Sequence, residues 1–209
     1  VNLNGLVDRF GAHDAEPIHV GFSGATVIRL HRATERVFYK AGEGVADEAD
    51  RLEWLGGTGF PCPRLLDRGD DWMLTAELPG RDASQPWSAA DRPAVLTAMA
   101  EGLRQLDALA ACPFPSPFPG PADAVTHGDY CAPNVFIDPA TLRFTGVLDV
   151  GALGANDRYV DLALMYKSLA GNLNPQYGGP SAARSFVQQY GADPEDPRIK
   201  YYIDLDNNS

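Results

Sequence analysis

The chain has 209 residues, 44% of them hydrophobic and 22% charged, with a formal net charge of −11. This is ordinary globular composition, which excludes a disordered or fibrous chain, and the length suits one large domain or two small lobes. The acidic balance works against nucleic acid as a partner and favours a small cationic molecule.

No apolar run approaches the roughly 20 residues that a spanning helix needs, and the N-terminus lacks the pattern of a secretory signal. The expectation is a soluble, cytoplasmic protein with no membrane partner; its oligomeric state is not specified. Cys62, Cys112 and Cys131 are widely spaced and form no CxxC pair, which argues against a disulfide framework or a zinc site.

The first part reads as a small antiparallel sheet, with strands at Pro17 to Gly21, Thr26 to His31 and Arg36 to Lys40 between glycine-containing turns. The turn from Gly21 to Val27, which includes Ser23, has residues small enough to bring backbone N–H groups against phosphates, and it suits a plain hairpin equally. From Val45 to Leu55 the spacing becomes helical, with Val45, Ala49, Leu52 and Leu55 on one face. Glu48 projects on that face as well, and a buried carboxylate needs a partner. Lys40, one of three lysines beside Lys167 and Lys200, is the available cation.

Two further strands are expected at Arg64 to Asp67 and Trp72 to Glu77, before Leu78, Pro79 and Gly80 break the pattern. A lobe boundary is placed there, dividing residues 1–79 from 80–209. A helix from about Ser88 to Leu109 follows, then a proline-rich loop from Cys112 to Ala122, a hairpin, and helices near Asp161 to Leu169 and Ala182 to Tyr190.

The chemistry concentrates in His127-Gly128-Asp129-Tyr130-Cys131-Ala132-Pro133-Asn134 and, after the hairpin, Asp149-Val150-Gly151. In protein kinases the catalytic-loop Asp receives the acceptor hydroxyl proton, a nearby Asn binds Mg²⁺, and a later Asp-x-Gly supplies the other metal ligand. Strands Val135 to Ile137 and Phe144 to Leu148, joined by a turn, would bring Asn134 and Asp149 together at the open end of the hairpin. His127 is expected to hold this loop rather than to take part in catalysis. The strand Lys40 and helix Glu48 match the kinase pair that steadies nucleotide phosphates.

With these residues in place, the chain resembles the aminoglycoside phosphotransferases, the 3'-phosphotransferase branch above all. The likeness runs through Phe38-Tyr39-Lys40, Glu48, Phe60-Pro61-Cys62-Pro63, the His127 to Asn134 loop, and the block from Thr145 to Leu164. It implies an α+β, two-lobed protein-kinase-like fold, with an antiparallel-sheet N-lobe that binds nucleotide and a mainly helical C-lobe that carries catalysis and acceptor binding. The implied reaction moves the γ-phosphoryl group of ATP, or alternatively GTP, to an aminoglycoside hydroxyl, with resistance as the result.

On this resemblance Asp129 is the catalytic base or hydroxyl-orienting group, and Asn134 and Asp149 ligate Mg²⁺. Lys40 contacts the phosphates, Glu48 orients it, Ser23 belongs to the phosphate turn, and the backbone of Ala76 and Leu78 meets adenine. Asp157 and Asp206 are the acceptor-binding acids, and Asp161 braces the catalytic loop.

The chain departs from the family where the family grips its drug. Ala152 replaces an arginine, Ala132 an acid, and Asp206-Asn207-Asn208-Ser209 an Asp-Glu-x-Phe ending. The proline-rich stretch stands where the family has a helical segment. Two rivals therefore stay open: a kinase of another small hydroxyl compound, and a nucleotide-binding module without transferase activity.

Overall fold

In the computed structural model, which describes residues 2–18 and 24–208, the chain forms two compact units, one ending at Leu78 and one beginning at Pro79. The first unit opens with helix α1 (Leu3–Phe10), which the sequence reasoning missed. Its signals were local. The Asn2 side chain accepts the Gly5 N–H, and Gly11, in the left-handed region, closes the helix by donating to the Val7 carbonyl.

Strands β1 (Asp14–Ile18), β2 (Thr26–His31) and β3 (Arg36–Ala41), helix α2 (Val45–Gly57), and strands β4 (Leu65–Arg68) and β5 (Trp72–Ala76) follow. The five strands form one antiparallel sheet in the order β1-β2-β3-β5-β4. The strand expected from Pro17 begins earlier, at Asp14, and residues 19–23 of that stretch lie outside the described residues. Leu6 and Phe10 of α1 pack on Ile28, Leu30, Val37 and Leu74, giving the sheet an apolar core on that side.

The second unit contains strand β6 (Arg81–Asp82), helix α3 (Arg92–Asp107), strands β7 (Ala124–Thr126), β8 (Val135–Ile137), β9 (Phe144–Val147) and β10 (Gly154–Asn156), and helices α4 (Tyr159–Ala170), α5 (Pro180–Tyr190) and α6 (Pro197–Asp206). β8 and β9 form the expected hairpin, extended by β6, while β7 pairs with β10. Helix α6 was also missed, although Asp196 caps it by accepting the Arg198 N–H and Pro197 stands in its first turn.

The proline-rich stretch forms no helix or strand, as expected, but it is docked. Ala155 donates to the Phe114 carbonyl at 2.9 Å, Asn156 donates to the Phe118 carbonyl at 2.6 Å, and the Phe118 ring meets Tyr202 edge-on. No helix among the described residues is long and apolar enough to cross a membrane.

Candidate phosphoryl-transfer site

In the first unit Lys40 lies on β3 and Glu48 on the buried face of α2. The Lys40 Nζ is 2.7 Å from Glu48 Oε2 and 3.0 Å from Oε1, with side chains only 13% and 9% exposed. The helical spacing that buries Val45, Ala49 and Leu52 also buries Glu48, and the lysine satisfies it there. Ala76 ends β5 opposite Val37 and donates its N–H to the Arg64 carbonyl at 2.9 Å. Leu78, buried, follows that strand, and Ser23 lies outside the described residues.

In the second unit the 127–134 loop is tied from several directions. Its polar side chains are set by the elements on either side, β7 before it and β8 after. Asn134 donates one amide hydrogen to the Asp129 carbonyl and the other to Asp129 Oδ2, each at 2.9 Å. Both its hydrogens are thereby committed, which leaves Oδ1 as the atom able to meet a cation. Asp129 itself is exposed.

The hairpin brings Asp149 to the same end. Val135 faces Val147, and the Leu148 N–H donates to the Asn134 carbonyl at 2.9 Å. Asp149 comes one residue later, exposed and in the left-handed region with φ 56° and ψ 57°. Few side chains other than Asn and Asp accept that conformation readily. It begins the 3-10 turn at Val150–Ala152.

His127 is fully buried and joins the two segments. Its Nδ1 accepts the Asp129 N–H at 3.2 Å, so Nε2 carries the proton and donates to the Leu148 carbonyl at 2.8 Å. Burial holds the imidazole below its ordinary pKa, in keeping with this neutral form.

Asp161, in the first turn of α4, accepts the N–H groups of His127 at 2.6 Å and Gly128 at 2.9 Å. Burial and the nearby Asp107 push its carboxyl up to about 8, against the pull of those two donors. Burial, with Asp129 next to it, likewise raises the Cys131 thiol well above its usual range.

Ser168, not among the residues expected at the site, accepts the Ala132 N–H on its Oγ at 3.2 Å. A signal was present, because Ser168 follows Asp161 by two helical turns on a buried face. The acids expected at an acceptor site are both partnered. Asp157, buried, accepts the Tyr159 N–H at 3.0 Å and pairs with Arg198 at 3.3 Å. Asp206 pairs with Lys167 at 2.6 Å.

Among the described residues no cluster of three or more His, Cys, Asp or Glu could hold a metal by itself. The oxygen pair of Asn134 and Asp149 fits Mg²⁺, an ion usually held by one or two protein groups together with substrate phosphates.

The family model described as "Phosphotransferase enzyme family" matches residues 14–124 and 117–202, two segments that meet in the proline-rich stretch. An aminoglycoside 3'-phosphotransferase of Streptomyces fradiae is 32% identical, with 95% of this chain and 96% of that protein covered. That alignment runs over 258 residues, more than the 209 here, so the relative carries residues with no counterpart in this chain. Streptomycin 3''-kinase of Streptomyces griseus is 29% identical, with 90% of each covered.

Among solved structures, an aminoglycoside 3'-phosphotransferase of type VIII superposes with a TM-score of 0.83 at 30% identity, covering 98% of each chain. A Streptomyces rimosus aminoglycoside phosphotransferase in complex with ADP and streptomycin superposes at 0.76 with 25% identity, covering 99% of this chain and 98% of its own. The α+β kinase-like fold is therefore shared.

Proposed function

The chain belongs to the phosphotransferase enzyme family, and on that premise we propose that it transfers the γ-phosphoryl group of ATP, or alternatively GTP, to a hydroxyl of an aminoglycoside, the 3'-hydroxyl first. The observation that carries this reading is the doubly bonded Asn134–Asp129 pair beside the Leu148–Asn134 link. It supports a role for the Asp129 carboxylate in aligning an acceptor hydroxyl, with the Asn134 and Asp149 oxygens as the proposed ligands.

Asn134 Oδ1 and the Asp149 carboxylate would hold Mg²⁺, which supplies charge stabilisation at the phosphates when bound. Lys40, steadied by Glu48, contributes positive charge to the nucleotide phosphates. The backbone at Ala76 and Leu78 is assigned to adenine, and Ser23 to the phosphate turn. Asp129 orients the acceptor oxygen and accepts its proton as the phosphoryl group moves in line. Use of ATP and three cysteines that form no CxxC pair both suit the cytoplasm, where acceptor phosphorylation gives resistance to the antibiotic.

The test is ATP consumption by the purified protein against a panel of aminoglycosides, with the product analysed for its phosphorylated position. Transfer to the 3'-hydroxyl is expected. Turnover confined to some other hydroxyl compound would favour a different small-molecule kinase, and tight nucleotide binding with no transfer would leave a binding module only.

A further inference from the structure

Resting on the phosphotransferase reading, we infer that Asn174 is a positioning residue for the transfer reaction, holding the loop that bears Asp129 and Asn134 by fixing Ala132 through Ser168. Ala132 lies between those two site residues, and both its backbone polar groups are held from outside the loop. Its N–H donates to Ser168 Oγ at 3.2 Å, and its carbonyl accepts the Ala83 N–H at 3.1 Å. Pro133, which follows, has no N–H with which to add a tether. Both tethers lead back to the connection between α4 and α5. Asn174 Nδ2 donates to Ser168 Oγ at 3.1 Å and to the Ser168 carbonyl at 3.0 Å, which fixes the hydroxyl oxygen as an acceptor facing Ala132. Three residues later the Tyr177 hydroxyl donates to the Ala83 carbonyl at 2.5 Å. Gln176 holds the residues that follow Ala83, donating to the Ser84 and Gln85 carbonyls at 3.1 and 2.8 Å and accepting the Trp87 N–H at 2.9 Å.

Asn174 is 3% exposed, and its Oδ1 is buried with no hydrogen-bond partner among the described residues. An apolar side chain of similar size would avoid that desolvation cost, so what the asparagine contributes is its donation to Ser168. Ala132 and Ala83 are fully buried, and water is not at hand to replace a lost partner. A loop released at Ala132 shifts Asn134, two residues on, and with it the two bonds by which Asn134 orients Asp129. The loss then falls on alignment of the acceptor oxygen, where small displacements slow the reaction steeply.

The test measures kcat, KM and the hydrogen exchange of the Ala132 amide, read by NMR, well below the melting temperature. It compares the wild type with Asn174→Leu, Ser168→Ala, Ser168→Thr and the double variant Asn174→Leu/Ser168→Ala. Asn174→Leu and Ser168→Ala should each speed Ala132 exchange and lower kcat about tenfold, while KM for ATP and kanamycin moves by less than about threefold. Ser168→Thr keeps the hydroxyl and should stay near wild type. The double variant should lose no more than the worse single one, because both residues act through one chain of bonds. A lowered melting temperature with kcat unchanged would make Asn174 structural only and overturns the inference. Wild-type Ala132 exchange in Asn174→Leu, or additive losses in the double variant, overturns it as well, and each leaves the phosphotransferase reading intact. A wild type that transfers phosphate to no acceptor overturns that reading and the kinetic role together, whatever the exchange rates are.

Discussion

Gly128 lies so close to Ala152 that a β-carbon at position 128 would stand 2.4 Å from the Ala152 carbonyl oxygen. The loop bearing Asp129 thus rests directly on the turn that follows Asp149, and these two segments of the candidate site are packed as one piece. Gly128 also has φ 78°, a conformation that side chains rarely adopt.

Replacing Gly128 with alanine therefore faces two obstacles, and the opposing atom is backbone that cannot swing aside. Gly128→Ala should lose about 2 kcal/mol or more of stability and most of its turnover. Thermal melting and kcat measured together check this. Wild-type values for both would mean that the loop is not held against Ala152.

Asp129 and Asp149 should fail differently when truncated. On the proposed roles, Asp129→Ala removes the proton acceptor but none of the nucleotide contacts, so nucleotide Kd should stay nearly constant while kcat falls roughly 10²–10⁴-fold. Asp149→Ala should instead abolish the Mg²⁺ dependence of nucleotide binding. Calorimetric titration with and without Mg²⁺ separates them, and unchanged metal dependence in Asp149→Ala would remove it as a ligand.

The site was legible because its chemistry is local. Asp129 and Asn134 share one short loop, and a hairpin of alternating apolar residues leaves little freedom in where Asp149 arrives. Glu48 was legible for the same reason, since one helical face names its neighbours. The structure brings together what the sequence order could not disclose, namely that Ser168 reaches back 36 residues to Ala132 and that Arg198 comes 41 residues to Asp157. Helices α1 and α6 were overlooked although Asn2 and Asp196 announce them, because short end segments carry too few apolar residues for spacing alone to stand out.

The Lys40–Glu48 pair invites a test that separates stability from function. Lys40→Met leaves a buried carboxylate without its cation, and breaking such a pair costs about 3–5 kcal/mol unless the acid protonates. Lys40→Met/Glu48→Leu removes both charges and should recover most of that loss. Nucleotide affinity should stay weak in both variants, because the proposed phosphate contact is gone in each. Affinity restored along with stability in the double variant would show that Lys40 acts only through folding.

Asp107, at the end of α3, offers a pH test. The Tyr190 hydroxyl donates to its Oδ2, while its buried Oδ1 has no hydrogen-bond partner among the described residues, and burial pushes the carboxyl up to about 7. The unfolded chain loses this proton near pH 4, whereas the folded protein keeps it until about 7. Between these values the folded state binds more protons, so the contribution of Asp107 to stability falls as pH rises, by about 4 kcal/mol at most across the window. Asp107→Asn can still accept from Tyr190 and does not titrate. Its melting temperature relative to wild type should therefore climb from pH 5 to pH 8. A difference that stays flat over that range would mean that Asp107 is ionised throughout, with a partner for its charge in the folded protein.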